Sequence, residues 1–135
     1  MSPPLVVVDE HLRYDRVTEP LQRFVKTQQI GVELLQAKGL SDEQIIPFLR
    51  SLKRRTFVTI DNWFYKARLC DNTYCLIYFH LAMEQQAQIP SLLRHLFQIA
   101  GFRTVRERMG KVVRVGHETI RYYQRNLPGE QTLAW

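Results

Sequence analysis

The chain has 135 residues, of which 45% are hydrophobic and 24% are charged. This length and composition are typical of one globular domain with its own hydrophobic core, and they exclude a disordered chain or a two-domain protein. No apolar stretch is long enough to cross a bilayer, and no basic segment precedes the first apolar run as it does in a secretion signal. Since two cysteines are too few for a disulfide scaffold, we expect a soluble, cytoplasmic protein.

The net charge of +6 is unevenly distributed along the chain. Residues 1–49 carry 5 basic and 7 acidic side chains, whereas residues 50–68 carry 6 and 1, and residues 94–135 carry 8 and 3. An acidic site within a basic protein suits a metal centre that attracts a polyanion such as nucleic acid. Ordinary cytosolic domains can have the same balance by chance, so the charge alone does not establish that function.

Hydrophobic patterning predicts alternating strands and helices. Leu5–Val8 is an apolar, β-branched run of the kind found in strands that are buried on both faces of a parallel sheet. The predicted elements, in chain order, are a strand at Leu5–Val8, a helix around 21–25, a strand at 30–35, a helix at 41–53, strands at 56–60 and Tyr74–Phe79, a helix at 90–100, and strands at Lys111–Val115 and 118–123.

Local signals mark several of these boundaries. Ser41 lies three residues before Gln44, which forms the pattern of a capping box and predicts a helix start at Ser41. Gly116 is followed by His117 between the last two predicted strands, which favours a tight hairpin turn. The whole pattern predicts an α/β fold. We expect a single three-layer α/β/α domain over residues 1–135, with a core at 5–123 and a mainly parallel central sheet of about 4–5 strands that ends in a C-terminal hairpin.

Acidic side chains follow the predicted strands. Asp9 and Glu10 follow the first strand, Asp61 follows the third, and Asp42 and Glu43 open the helix after the second. Sites in parallel sheets form beyond the carboxyl ends of the strands, so these acids are expected to converge. Converging carboxylates repel one another unless a cation lies between them. Hard carboxylate oxygens without a cysteine or histidine cluster favour Mg²⁺ or Mn²⁺ over zinc.

Each acidic residue also has a purely structural explanation. Asp42 and Glu43 would stabilise the first turn of a helix through its dipole, and Asp61 followed by Asn62 suits a turn. Asp9 is harder to explain in this way because it ends an apolar run, where a half-buried carboxylate is costly without a partner. A shared metal site accounts for all of these acids together.

Three short segments and a later strand resemble PIN-like domains, specifically the short branch often encoded in bacterial toxin–antitoxin loci. The matching segments, in order and spacing, are Val-Val-Asp-Glu-His-Leu at 7–12, Leu-Ser-Asp-Glu-Gln-Ile at 40–45, Val-Thr-Ile-Asp at 58–61 and Gly-Lys-Val-Val-Arg-Val at 110–115. The resemblance spans residues 5–123. It implies a ribonuclease that depends on Mg²⁺ or Mn²⁺ and acts as the toxin of a toxin–antitoxin pair.

The resemblance also implies roles for particular residues. Asp9, Asp42 and Asp61 would be the catalytic metal ligands, the substrate would be RNA, and an antitoxin protein and a second copy of the chain would be partners. Members of this branch often carry another acid two residues after the aspartate of the third strand, where this sequence has Trp63. The candidates to replace that ligand are Glu10, Glu43 and Asn62.

Basic side chains near the same edge are candidates for holding phosphates. The candidate residues that follow the first and third strands are Arg13, Arg16, Lys66 and Arg68. The denser basic cluster at 53–55 lies at the far end of the predicted helix, about 16 Å from Asp42 at 1.5 Å per residue. We therefore expect the cluster at 53–55 to lie away from the metal site.

Two other functions fit parts of the pattern. One is a catalytically degenerate PIN-like module that binds nucleic acid or protein without metal, which the tryptophan at position 63 favours. The other is a phosphoacceptor signalling domain, in which Asp9, Glu10 and Asp61 would form the acidic site. That class has no need of acids at 42–43, and Lys111 begins a predicted strand where such a domain needs a lysine at the end of one.

Overall fold

The computed structural model describes residues 5–135, so residues 1–4 of the predicted domain lie outside the described part of the chain. The strands are β1 (Leu5–Val8), β2 (Lys26–Gln29), β3 (Arg55–Thr59), β4 (Tyr74–Phe79), β5 (Lys111–Val115), β6 (Thr119–Gln124) and β7 (Leu127–Ala134). They form one 7-stranded sheet in the order β2-β1-β3-β4-β5-β6-β7. Strands β1 to β5 run parallel, and β6 and β7 extend the sheet as antiparallel strands. The broad α/β prediction is therefore confirmed.

Short helices and turns connect the strands. The α-helices are α1 (Glu19–Leu21), α2 (Asp42–Leu52), α3 (Ile89–Leu96) and α4 (Val105–Arg108). A π-helical turn precedes α1 at Tyr14–Thr18, and 3-10 turns lie at Leu35–Ala37, Asn62–Phe64, Ala67–Leu69 and Met83–Gln88. No helix within residues 5–135 is long and apolar enough to cross a membrane.

Alternate side chains of the central strands enter two separate hydrophobic clusters. In β1, Val6 and Val8 join the cluster that contains Leu93 of α3, whereas Val7 joins the cluster that contains Leu49 of α2. All of these side chains are buried. Burial on both faces explains why β1 and β4 are continuous apolar runs instead of alternating polar and apolar residues.

The predicted start of α2 is confirmed at atomic detail. The Ser41 hydroxyl accepts a hydrogen bond from the Gln44 backbone N–H at 3.3 Å, and the Gln44 side-chain oxygen accepts one from the Ser41 N–H at 2.9 Å. These two bonds satisfy donors that the first helical turn leaves free. They place Asp42 at the first position of the helix.

The prediction of a second strand at 30–35 is wrong. Strand β2 lies earlier, at Lys26–Gln29, and pairs with β1 at the edge of the sheet. Its residues are polar, so hydrophobic patterning does not reveal it. It is stabilised by side-chain hydrogen bonds, in which the Thr18 hydroxyl donates to Gln29 Oε1 at 2.6 Å and Gln29 Nε2 donates to the Leu12 carbonyl at 2.6 Å. Residues 30–34 form a turn in which Gly31 has φ +88°.

Three other predictions need correction. Helix α1 ends at Leu21, which is the first residue of the helix predicted around 21–25. Helix α3 ends at Leu96, four residues before the predicted end at 100. The hairpin after β5 is confirmed, but a second hairpin carries the chain into β7, which the sequence analysis lacks. Asn126 provides the positive φ, 67°, that this second turn requires. Strand β7 contains proline and glycine and is largely exposed at the sheet edge, so it has no strand signal.

The connection from α2 to β3 has an unfavourable backbone conformation. Lys53 has φ 62° and ψ 145°, and Arg54 has φ 58°. We predict that Lys53→Gly raises the free energy of unfolding by about 1 kcal/mol, because glycine adopts positive φ without steric cost. Urea unfolding followed by circular dichroism measures the change. The control is Lys38→Gly at φ −60°, which should lower stability, and equal effects of the two substitutions would contradict the prediction.

Candidate metal centre

The order of the strands brings two of the three predicted aspartates to one edge. Strands β1 and β3 are adjacent and parallel, with Val8 opposite Val58. The Asp9 N–H continues this pairing by donating to the Val58 carbonyl at 3.0 Å. Asp9 and Asp61 therefore follow neighbouring strands at the carboxyl edge of the sheet.

A buried threonine hydroxyl connects these two aspartates. The Thr59 Oγ1–H donates to Asp9 Oδ2 at 2.8 Å, and Oγ1 accepts from the Asp61 backbone N–H at 3.0 Å. The Thr59 side chain is fully buried. The Asp61 carboxylate in turn accepts a hydrogen bond from the Trp63 N–H at 2.9 Å, which caps the 3-10 turn at Asn62–Phe64. Both carboxyl groups are thus fixed by hydrogen bonds to buried or backbone donors.

The third aspartate comes from the start of α2. Asp42 lies close enough to Asp61 and Asp9 for their charges to repel its own. Burial, followed by repulsion from Asp61 and from Asp9, raises the pKa of Asp42 to about 6. A carboxyl with this pKa keeps its proton more readily than an ordinary aspartate does, which is the expected response to burial and to neighbouring negative charge.

Asp9 responds to the same surroundings. Burial raises its pKa, and the charge of Asp61 adds to this increase. The hydrogen bonds from the Thr59 hydroxyl and the His11 backbone, together with the charge of His11, act in the opposite direction. The three aspartates, from β1, β3 and α2, therefore interact electrostatically as one acidic cluster, which we call the aspartate cluster.

The donor chemistry of the aspartate cluster fits Mg²⁺ or Mn²⁺. Carboxylate oxygens are the ligands that these ions prefer, and a cation would relieve the repulsion among the three aspartates. Within residues 5–135, however, no group of three or more His, Cys, Asp or Glu side chains is arranged to hold a metal ion. Asp9 and Asp61 direct oxygens at Thr59 and at the Trp63 N–H instead.

The structure assigns different surroundings to the three candidates for an additional ligand. Glu10 Oε1 accepts a hydrogen bond from the Gly39 N–H at 2.9 Å, so this side chain fixes the loop before α2. Glu43 and Asn62 are exposed. Their side chains make no hydrogen bond to any residue of the described part of the chain. None of these side chains is held against the aspartate cluster.

The four predicted phosphate-binding residues lie in two separate places. Arg13 pairs with Asp15 at 3.0 Å, and with Arg16 it lines a cavity of about 350 Å³. Lys66 lies over the Trp63 ring, with Nζ 4.0 Å from the ring centroid, and the Arg68 guanidinium lies 5.8 Å from it. Trp63, at the position where the resemblance implies an acid, therefore lies against two cationic side chains.

Sequence reasoning missed the role of Thr59. The available signal was a hydroxyl residue at the end of an apolar strand, two positions before Asp61. His80, which follows β4 at the same edge, is exposed, and its Nδ1 is 2.8 Å from the Tyr78 hydroxyl. These polar residues continue the edge beyond the aspartate cluster.

Comparisons with protein-family models, with curated proteins and with solved structures find no match for this chain. The fold and the candidate site place the chain in a broad class, that of mixed α/β proteins with a mostly parallel sheet and acidic side chains at its carboxyl edge. Any more specific assignment depends on the chemistry of those side chains.

We predict that Asp42→Asn stabilises the protein at neutral pH, because it removes a carboxylate that is repelled by Asp61 and Asp9. Since solvent screens part of this repulsion, the expected gain is about 1 kcal/mol. The folded-state pKa of about 6 lies above the ordinary value of 3.8, so the folded protein binds more protons between these pH values. The contribution of Asp42 to stability should therefore fall as the pH rises through this window, and Asp42→Asn should remove that contribution.

Thermal unfolding across this pH range, in the presence of EDTA, tests the prediction. Glu43→Gln is the matched control, since this exposed neighbour in the same helical turn should lose about 0.3–1 kcal/mol of helix-dipole stabilisation. The two substitutions should thus change stability in opposite directions. A loss of stability in Asp42→Asn equal to that in Glu43→Gln would contradict the prediction.

Proposed function

We propose that the chain is a metal-dependent ribonuclease with a three-layer, PIN-like α/β/α domain. In this proposal Asp9, Asp42 and Asp61 hold Mg²⁺ or Mn²⁺ and are the catalytic ligands. The observation that carries the proposal is the aspartate cluster, in which carboxyl groups from three separate elements interact at the carboxyl edge of a parallel sheet. The net charge of +6 makes such a concentration of acid unusual in this chain.

The energetic cost of the cluster supports a cation. Burial and mutual repulsion raise the pKa values of Asp9 and Asp42, which means that the fold gives up stability to keep both carboxylates at this edge. A divalent cation would turn this repulsion into attraction. A bound Mg²⁺ or Mn²⁺ would neutralise charge on a phosphodiester and acidify an attacking water.

The chain itself would fix the geometry of the reaction. Thr59 holds the Asp9 carboxylate through its hydroxyl, and the Trp63 N–H holds Asp61. Trp63 follows Asp61 by two residues in the chain, and Lys66 lies over the face of its ring. In the proposal, this ammonium group meets a substrate phosphate. The Glu10 hydrogen bond to Gly39 orders the loop that leads into α2 and so positions Asp42.

The proposed partners follow from the resemblance of residues 5–123 to toxin–antitoxin nucleases. They are an RNA substrate, an antitoxin protein and a second copy of the chain in the cytoplasm. Two apolar side chains of the loop before α2, Val32 and Leu35, support a protein partner because they are 47% and 66% exposed.

A second candidate is a PIN-like module that binds nucleic acid or protein without metal. It is favoured by the absence, within residues 5–135, of any group of three side chains arranged to hold a metal ion. The phosphoacceptor function gains no support, because Lys111 Nζ lies at the amino end of β5 and donates to the Gly101 carbonyl at 3.1 Å. That lysine is therefore unavailable at the carboxyl edge.

The ribonuclease proposal predicts cleavage of a fluorescent single-stranded RNA in the presence of Mn²⁺. EDTA should abolish the activity, and Asp9→Asn should reduce it about 100-fold or more through the loss of a metal ligand. Glu19→Gln is the control, since this exposed acid lies in α1 and should leave the rate unchanged. Cleavage that survives both EDTA and Asp9→Asn would overturn the proposal, and RNA binding without cleavage would favour the second candidate.

A further inference from the structure

A row of polar side chains crosses the sheet next to the aspartate cluster. Thr59 pairs with Tyr78, Tyr78 with Arg114, and Arg114 with Arg121 in successive strands from β3 to β6. Residues that pair directly across neighbouring strands project from the same face of a sheet. The row therefore begins at the threonine that holds Asp9 and ends at two arginines.

The two arginines are free to bind an anion. Arg114 is half-buried and Arg121 is exposed. Neither guanidinium forms an ion pair or a hydrogen bond with any side chain or carbonyl of residues 5–135, whereas Arg13 and Arg50 pair with aspartates.

Arg114 and the aspartate cluster face each other across Tyr78. Burial raises the pKa of the Tyr78 hydroxyl, the charge of Arg114 lowers it and the charge of Asp61 raises it. The hydroxyl thus lies within reach of both charges. Strand β4, which carries Tyr78, separates the aspartate cluster from Arg114. Within residues 5–135, no ion pair joins Arg114 to the aspartates.

Aromatic rings lie beside the arginines on the same face. Tyr65 lies between Tyr78 and Tyr123, with ring centroids at 6.3 and 5.1 Å. The Tyr65 hydroxyl donates to Glu130 Oε2 at 2.6 Å, which holds the ring in place and engages that carboxylate. Tyr65 and Tyr123 are partly exposed. Rigid aromatic rings next to cations are the usual means of binding unpaired bases and their phosphates.

Thr59 and Tyr78 are buried, so the spacing of the strands sets the distance from the two arginines to the carboxyl edge. Neighbouring strands lie about 4.8 Å apart, so Arg114 is about 10 Å and Arg121 about 14 Å from the Thr59 position. An extended strand of a few nucleotides covers this distance. The surface is positive at one end and carries the proposed cleavage site at the other, which gives a bound strand a defined position.

We propose that Arg114 and Arg121 bind the phosphates of single-stranded RNA that flank the scissile phosphate on one side, with Tyr65 and Tyr123 in contact with the bases. This inference rests on the proposed function, because it takes the aspartate cluster as the point of cleavage. Single-stranded RNA is the occupant since paired bases in a duplex do not expose their faces to aromatic side chains.

The experiment measures RNA binding separately from cleavage. Fluorescence anisotropy of a labelled oligouridine of about 12 nucleotides is followed in EDTA, at several salt concentrations, for the double variant Arg114→Gln, Arg121→Gln. The control is the double variant Arg23→Gln, Arg106→Gln, which removes the same charge from exposed arginines near the amino ends of the strands. Cleavage in Mn²⁺ is assayed in parallel, so that failure of the ribonuclease proposal is seen independently of binding.

Loss of the Arg114 and Arg121 contacts should weaken binding about 10-fold or more. It should also reduce the slope of log K against log salt by about 1.4, the value for two phosphate contacts to a single strand. The charge-conserving variant Arg114→Lys, Arg121→Lys should recover most of the affinity, which separates loss of contact from loss of fold. The inference is overturned if the wild type does not bind, if the control loses as much affinity, or if polyglutamate competes as well as RNA.

Discussion

The burial and mutual repulsion of three aspartates are the constraint on which the carboxyl edge of this protein depends. Asp9, Asp42 and Asp61 are drawn together although burial and like charge raise the pKa values of Asp9 and Asp42. The Thr59 hydroxyl holds the ends of β1 and β3 in place, and the capping box at Ser41 fixes the start of α2. The packing of two hydrophobic clusters on opposite faces of the sheet provides the stability against which this repulsion acts.

Sequence reasoning finds the helices and strands whose pattern of apolar and capping residues matches their burial in the structure. Strands β1 and β4 are buried on both faces and are therefore continuous apolar runs, and the helix start at Ser41 is encoded by residues that bond to one another. The edge strands lack this agreement. Strand β2 is stabilised by side-chain hydrogen bonds of Gln29 with residues far away in sequence, and β7 is exposed, so neither has an apolar period.

The same distinction holds for the candidate site. That three aspartates approach one another follows from the rule that carboxyl ends of parallel strands share an edge, so the sequence was sufficient to predict it. The orientation of the Asp9 and Asp61 carboxyl groups was not predictable, because it depends on the buried hydroxyl of Thr59. In the sequence, Thr59 looks like an ordinary strand residue. The positions of Arg114 and Arg121 beside this edge depend on strand order and register, which polar residues do not reveal.

The central claim is that the aspartate cluster is a cation site, and Mn²⁺ binding by calorimetry tests it most directly. Wild-type protein is titrated beside the double variant Asp9→Asn, Asp61→Asn, with Glu19→Gln as the control for an exposed acid. We expect Mn²⁺ to bind the wild type and the control and not the double variant. The absence of binding to the wild type at millimolar metal, or equal binding to the double variant, would contradict the account.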